Sequence, residues 1–272
     1  MPAIEKGKVC IFGGGGPVAR TVYDALKNDY EMRLVDIATL DEVQKRGTAK
    51  GFPKPPVPEA PNEWRVADIL DYDAVVEAMQ GCDAVINLTV FRSEPVRAFK
   101  INLLGIYNIM KAAVELKPKR VIQTGPVVLS MGYEGDYRYD YEIPDGFSPR
   151  PGGNNIYPLT KTMGNEVVTA FAEEHDLDVM TLLVSRLRPH DGLDDRDDNV
   201  MITYSTAWDD LGSPFYCALR APQCPNPNET FFICSDLPMG KYKPEKAERL
   251  LGWKAKHDFR RFYTRGGKKA LS

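Results

Sequence analysis

The order of apolar runs along the chain predicts an α/β fold with a parallel, doubly wound sheet. Three observations carry this. Short apolar runs alternate with helical repeats five times between Lys8 and Glu174. A glycine cluster, Gly13 to Gly16, joins the first run to the first helical repeat. An acidic residue, Asp36, ends the second run. Such alternation implies right-handed βαβ crossovers, and therefore parallel strands with helices on both faces.

Residues 8–12 read as the first strand and 18–26 as the first helix, from apolar residues at helical spacing. Residues 32–36 give the second strand. Residues 52–61 hold five prolines and are predicted to be a loop. A third strand is expected at 66–68, with a helix at 72–79. A fourth strand at 83–88 precedes one long amphipathic helix over 96–116. A fifth strand follows at 120–124. Residues 125–155, rich in Gly, Pro and Tyr, read as a long loop over the carboxyl edge of the sheet, where such folds bind ligands. A helix over 156–174 and a sixth strand at 179–184 close the regular part. Beyond about residue 187 the alternation weakens, with a helix expected at 206–220, a strand at 230–234 and a helix at 244–251. The expected organisation is a Rossmann-type domain over 1–185, followed by a small C-terminal substrate-binding lobe over 186–272 that is not an independent domain.

The 272 residues suffice for a core without covalent staples. A formal net charge of −3 gives no reason to expect nucleic acid or an anionic membrane as partner. No apolar run approaches the roughly 20 residues that span a bilayer. The first residues lack the apolar stretch of a signal peptide, so a cytoplasmic location is expected. The five cysteines form no CxxC pair and read as reduced thiols. The three histidines are far apart, so no metal site is expected.

The glycine turn carries the first functional signal. Gly13, Gly16 and Ala19 match a GxxGxxA spacing between a strand and a helix. Gly13 permits a tight turn, Gly16 lets a pyrophosphate approach the backbone, and Ala19 lets the helix pack on the strand. The helix then offers free N–H groups and a positive dipole end to phosphates. Pro17 suits a first helical turn. The arrangement predicts a dinucleotide site. A carboxylate at Asp36 can accept both ribose hydroxyls and repels a 2′-phosphate, which favours NAD over NADP; a cap or turn role is its alternative. Arg20 and Arg33 lie nearby in sequence and could soften that preference. Asp68 could meet the adenine amine or equally cap the next helix.

The second signal is Tyr157-Pro158-Leu159-Thr160-Lys161, near the start of a helix. Residues four apart share a helical face, so the ammonium can sit near the phenol. A free tyrosine, with a pKa near ~10, is a poor base at neutral pH, and a neighbouring cation favours its phenolate. Tyr157 could then take the proton of a substrate hydroxyl as hydride leaves the same carbon.

On these residues, together with the Asn87-Leu88 strand end, Asn102-Leu103-Leu104-Gly105 and the Leu251-Gly252-Trp253 turn, the chain resembles the extended short-chain dehydrogenase/reductase family, the NAD-dependent epimerase/dehydratase group. Within that group it is most similar to uronate dehydrogenase-like members, which oxidise the anomeric hydroxyl of a hexuronic acid. The resemblance implies a cofactor-binding set of Gly13, Gly15, Gly16, Pro17, Val18, Asp36, Asp68, Ile69, Leu88, Tyr157 and Lys161. It also implies that the helices at 96–116 and 156–175 pair in a homodimer. One departure stands out. Where the family places a Ser or Thr after the fifth strand, this chain has Pro126, which has no donor. Thr124 or Ser130 could supply the hydroxyl from a shifted register. Arg92, Arg186 and Arg188 are candidates for a substrate carboxylate or phosphate, or else solvated surface arginines. Tyr133, Tyr137, Tyr139 and Tyr141 could line a sugar pocket or pack on one another. Three functions follow as alternatives: an NAD-dependent dehydrogenase of a sugar-like hydroxyl, an epimerase or dehydratase with transient redox, and a weakened NAD-binding protein.

Overall fold

The computed structural model describes residues 3–49, 51–127, 129, 145–146, 156–190, 204–235, 237, 240–257 and 259–260. Nine strands lie within them: β1 (Lys8–Phe12), β2 (Glu31–Asp36), β3 (Glu63–Val66), β4 (Ala84–Asn87), β5 (Arg120–Gly125), β6 (Val179–Leu183), β7 (Leu187–Arg188), β8 (Thr206–Ala207) and β9 (Asn228–Phe232). Seven form one parallel sheet in the order β3-β2-β1-β4-β5-β6-β9, while β7 and β8 pair separately. This is the predicted Rossmann-type doubly wound architecture. The strand order reverses between β1 and β4, and that crevice is where such sheets bind ligands.

The central strands are apolar on both faces, as a sheet covered by helices on each side requires. Along β1 the side chains alternate. Val9 and Ile11 join a core with Val22, Leu26, Trp208, Leu211 and Phe215. Cys10 and Phe12 join the opposite core with Val75, Met79, Ile106, Ile109 and Val168. One buried ion pair locks the far end of the sheet: Arg120 Nη2 lies 2.5 Å from Asp178 Oδ2. The same guanidinium donates to the carbonyls of Ala218 and Ala221, which ties β5 to the end of the helix Ser213–Arg220.

Several elements differ from expectation. The third strand runs over Glu63–Val66 rather than 66–68, with Arg33 of β2 opposite Glu63 in register and bonded to it at 2.6 Å. Residue 68 instead begins a turn, its carboxylate accepting from Leu70 N–H at 2.9 Å. A short helix, Leu40–Lys45, is additional to the expected elements. Its capping box, Thr39 with Glu42, is present in the sequence. The long helix predicted over 96–116 is three segments: Pro95–Phe99, a wider π-helical turn over Lys100–Gly105, and Ile106–Leu116. The helix expected from residue 206 starts two residues later. Thr206–Ala207 is strand, and the helices are Trp208–Leu211 and Ser213–Arg220. The strand expected at 230–234 runs over Asn228–Phe232 and completes the main sheet beside β6.

Candidate active site

At the reversal point the turn after β1 is drawn tight. Gly13 and Gly14 N–H both donate to Val35 O at 2.9 Å, and Gly13 takes a φ of +80°. A Cβ on Gly13 would lie 3.0 Å from the Leu88 carbonyl carbon and 3.1 Å from Thr89 N, so no larger residue fits there. Gly15 donates its N–H to Asp36 Oδ2 at 2.9 Å, and a Cβ on it would meet that same oxygen at 2.8 Å. The carboxylate that ends β2 therefore anchors the turn after β1. The helix Pro17–Leu26 then starts with no side-chain cap and no acid in its first turn, so no side chain of its own competes with an anion for the positive end of its dipole.

Around this turn lies a cleft of about 510 Å³. Gly13, Gly15, Gly16, Asp36, Asp68, Ile69 and Leu88 all line it, as the sequence reading expects of a cofactor site. Pro17 and Val18, in the first turn of the helix, are not among its lining residues. Asp68 spends one oxygen on Leu70 N–H, and the residue that caps the helix Tyr72–Met79 is Asp71. Of the two arginines considered for the phosphate question, Arg20 pairs with Asp24 and Arg33 with Glu63 and the Ala78 and Gln80 carbonyls. Two other basic residues, Arg46 and Arg97, line the cleft with Asp36, and sequence reading missed both.

A second cluster adjoins the cleft. Tyr157 and Lys161 lie one turn apart on the helix Ile156–His175. Lys161 is buried, and burial, with help from the nearby Arg92 charge, pulls its pKa down to about 8. Burial pushes the Tyr157 phenol above its ordinary value, and Arg92 partly opposes this through its charge and a hydrogen bond. The Arg92 guanidinium carbon stands 5.1 Å from the Tyr157 ring centroid. Its place is set by its neighbour. Phe91 lines the cleft, and its N–H and C=O are both held by the Asn102 side chain, at 2.9 and 2.7 Å. Asn102 Nδ2 also lies 3.0 Å from Thr160 Oγ1, three residues past Tyr157. Asn102 sits in the π-helical turn, whose close approach to the helix requires Gly164. A Cβ there would overlap Asn102 O.

The remaining predicted residues scatter. Thr124 directs its hydroxyl to Asn87 O at 3.0 Å, within the sheet. Arg186 is exposed with a φ of +46°, and Arg188 is half-buried on β7. Ser130, Tyr133, Tyr137, Tyr139 and Tyr141 lie outside the described residues. No group of three or more metal-binding side chains occurs among the described residues.

A glycine-turned nucleotide cleft at the reversal point of a parallel sheet, with a Tyr–Lys helix beside it, defines an enzyme of the extended short-chain dehydrogenase/reductase type. Residues 9–203 match the NAD dependent epimerase/dehydratase family, and the chain belongs to that family. NAD is its cofactor, and the residues present fit it, since the tight Gly13 turn, the uncapped helix start and the Asp36 carboxylate share one cleft. Among curated relatives, the chain is 24% identical over 262 residues to the NAD-dependent glucose-6-phosphate dehydrogenase of Haloferax volcanii, covering 90% of this chain and 91% of that protein. It is 23% identical over 190 residues to the L-arabinose 1-dehydrogenase (NAD(P)(+)) of the same organism, covering 66% and 67%. Its fold is similar to that of uronate dehydrogenase from Agrobacterium tumefaciens, with a TM-score of 0.72, 20% identity and coverage of 98% and 91%. A point mutant of that enzyme, solved in complex with NAD, matches with a TM-score of 0.71, 19% identity and coverage of 98% and 91%.

Proposed function

We propose that this chain is a dehydrogenase that oxidises a hydroxyl of a sugar acid or related sugar, with Tyr157 as the base and Lys161 as its assisting cation. The observation that carries this reading is the continuity of the two clusters: Phe91 lines the cofactor cleft and the next residue, Arg92, lies over the Tyr157 ring. Gly13, Gly15, Gly16, Pro17 and Val18 would hold the pyrophosphate, Asp36 the adenosine ribose, Asp68 and Ile69 the adenine, and Leu88 the dinucleotide's middle. Bound NAD supplies the acceptor for the electron pair of the broken carbon–hydrogen bond. The chain's own task is then to hold the hydroxyl and remove its proton at Tyr157 Oη, with Lys161 stabilising the phenolate and holding the nicotinamide ribose. Thr124 would contribute a hydroxyl only by leaving Asn87 O. Ser130, Arg186 and Arg188 are the residues proposed to meet an anionic group on the substrate. The relatives that act on glucose 6-phosphate, L-arabinose and uronates support a sugar or sugar acid as the substrate class.

The same reading takes the protein as a cytoplasmic homodimer. No helix among the described residues is long and apolar enough to cross a membrane, and all five cysteines are free thiols. Ile106, Ile109, Met110 and Val168, on the helices expected to pair, are buried in the core. Val96, Leu104, Tyr107 and Met163, on those same helical runs, are exposed. They form the apolar surface a partner copy would cover.

The test is NADH formation from NAD with D-glucuronate, D-galacturonate, D-glucose 6-phosphate and L-arabinose, with Tyr157→Phe as blank. Turnover of one sugar, lost in Tyr157→Phe with NAD affinity retained, is expected. Equal loss of NAD binding and turnover would remove Tyr157 from the proposed role. No net NADH from any sugar, with NAD tightly retained, would move the reading to an epimerase or dehydratase.

A further inference from the structure

We propose that Arg92 is the charge-setting partner of Tyr157: its guanidinium, held against the ring and phenol oxygen, stabilises the phenolate during proton transfer. This rests on the reading of Tyr157 as the base.

Three observations converge on it. The guanidinium carbon lies 5.1 Å from the Tyr157 ring centroid, within cation–π range. Arg92 is exposed, but its backbone follows directly from the doubly bonded Phe91, which fixes where the side chain starts. The Asn102 clamp that holds Phe91 also grips Thr160, so the loop carrying Arg92 and the helix carrying Tyr157 are fixed to one buried amide. The electrostatics agree. Among the described residues, Arg92 is the charged group that acts on both Tyr157 and Lys161, and it lowers both. Lys161, titrating at about 8, loses its proton within the range where dehydrogenation is assayed, whereas a guanidinium keeps its charge throughout. Arg92 is thus the permanent cation of the pair.

In the step concerned, the substrate O–H bond breaks and its proton passes to Tyr157 Oη. The carbon-bound hydrogen would leave together with its bonding electron pair to bound NAD, and the alcohol would become a carbonyl. Arg92 exchanges no proton. It holds negative charge on Oη before the transfer and releases it afterwards.

The experiment needs no known substrate. Titration of the near-ultraviolet phenolate band of the intact protein, minus that of Tyr157→Phe, isolates one tyrosine. The same difference between Arg92→Gln and Arg92→Gln/Tyr157→Phe isolates it without the guanidinium. The midpoint is expected to rise by about one pH unit or more in Arg92→Gln and by less in Arg92→Lys. Lys161, at about 8, has lost its proton before the phenol titrates, so it does not mask this. With whichever of the four sugars above is turned over, Arg92→Gln should lower kcat about tenfold at neutral pH and move the rising limb of kcat to higher pH. Added guanidinium ion should restore part of the rate. An unmoved Tyr157 midpoint overturns the proposal, as does a raised KM with unchanged kcat and pH profile, which would make Arg92 a substrate-anion contact. Full turnover in Tyr157→Phe would instead overturn the base assignment on which it rests.

Discussion

The side-chain amide of Asn102 and the hydroxyl of Thr160 meet 3.0 Å apart in the interior, both without solvent exposure. That bond joins the strand-end loop of the cofactor cleft to the helix of Tyr157. Asn102→Ala would leave the Phe91 N–H and C=O without their partners, at a cost of about 2–4 kcal/mol. Denaturant unfolding should show that loss. Kinetics should show turnover reduced more than NAD affinity, because the glycine turn is untouched. Undiminished turnover in a destabilised variant would mean the clamp serves folding alone.

Asp36 faces both the turn and the cleft. Asp36→Ala should weaken NAD about tenfold and raise the ratio of NADP to NAD use, since Arg46 then becomes the dominant charge at that end. Comparing kcat/KM for the two cofactors measures this directly. An unchanged ratio would confine Asp36 to holding Gly15.

Lys161 has a folded pKa of about 8 against an ordinary 10.5, with burial as the main cause. For a base lowered in this way, the unfolded chain holds the extra proton between those values. The cost to stability is therefore full below pH 8 and fades as pH rises toward 10.5. Lys161→Met should be more stable than the parent at pH 7, by about 1–3 kcal/mol, and should lose that advantage near pH 10 while remaining inactive. Thermal unfolding at the two pH values distinguishes this from a variant that is merely tolerated.

Leu104 and Tyr107 stand exposed on the π-helical turn and the helix after it. If two copies pair there, Leu104→Glu should convert a dimer into a monomer in sedimentation experiments, with the fold intact by circular dichroism. A parent that sediments as a monomer at micromolar concentration would remove the pairing.

Much of the frame was legible because its signals are local. The apolar runs at β1, β2, β5 and β6 and the helix Tyr72–Met79 each stand beside their own punctuation, such as Gly13 or Asp71. The third strand lies earlier than its apolar run suggests, because Asp68 reads as part of that run when it in fact folds back on Leu70. The π-helical turn left no trace in the periodicity, since one widened turn does not disturb an apolar stripe already broad on both sides. Arg46 beside Asp36, and Arg92 over Tyr157, were not predictable as neighbours. Each pairing depends on how separate βα units converge at the carboxyl edge, and no spacing rule encodes that.

The strand that completes the sheet, β9, comes late in the chain and pairs with β6. In synthesis, therefore, the cleft-forming strands leave the ribosome while β6 still has a bare edge of unpaired N–H and C=O groups. At about 5–20 residues per second that edge stays open for a few seconds. It is the kind of surface on which nascent chains join one another. The native strand order thus makes β9 a guard against misassembly, and slow translation or a weakened β9 should reduce soluble yield before it touches the chemistry of the cleft.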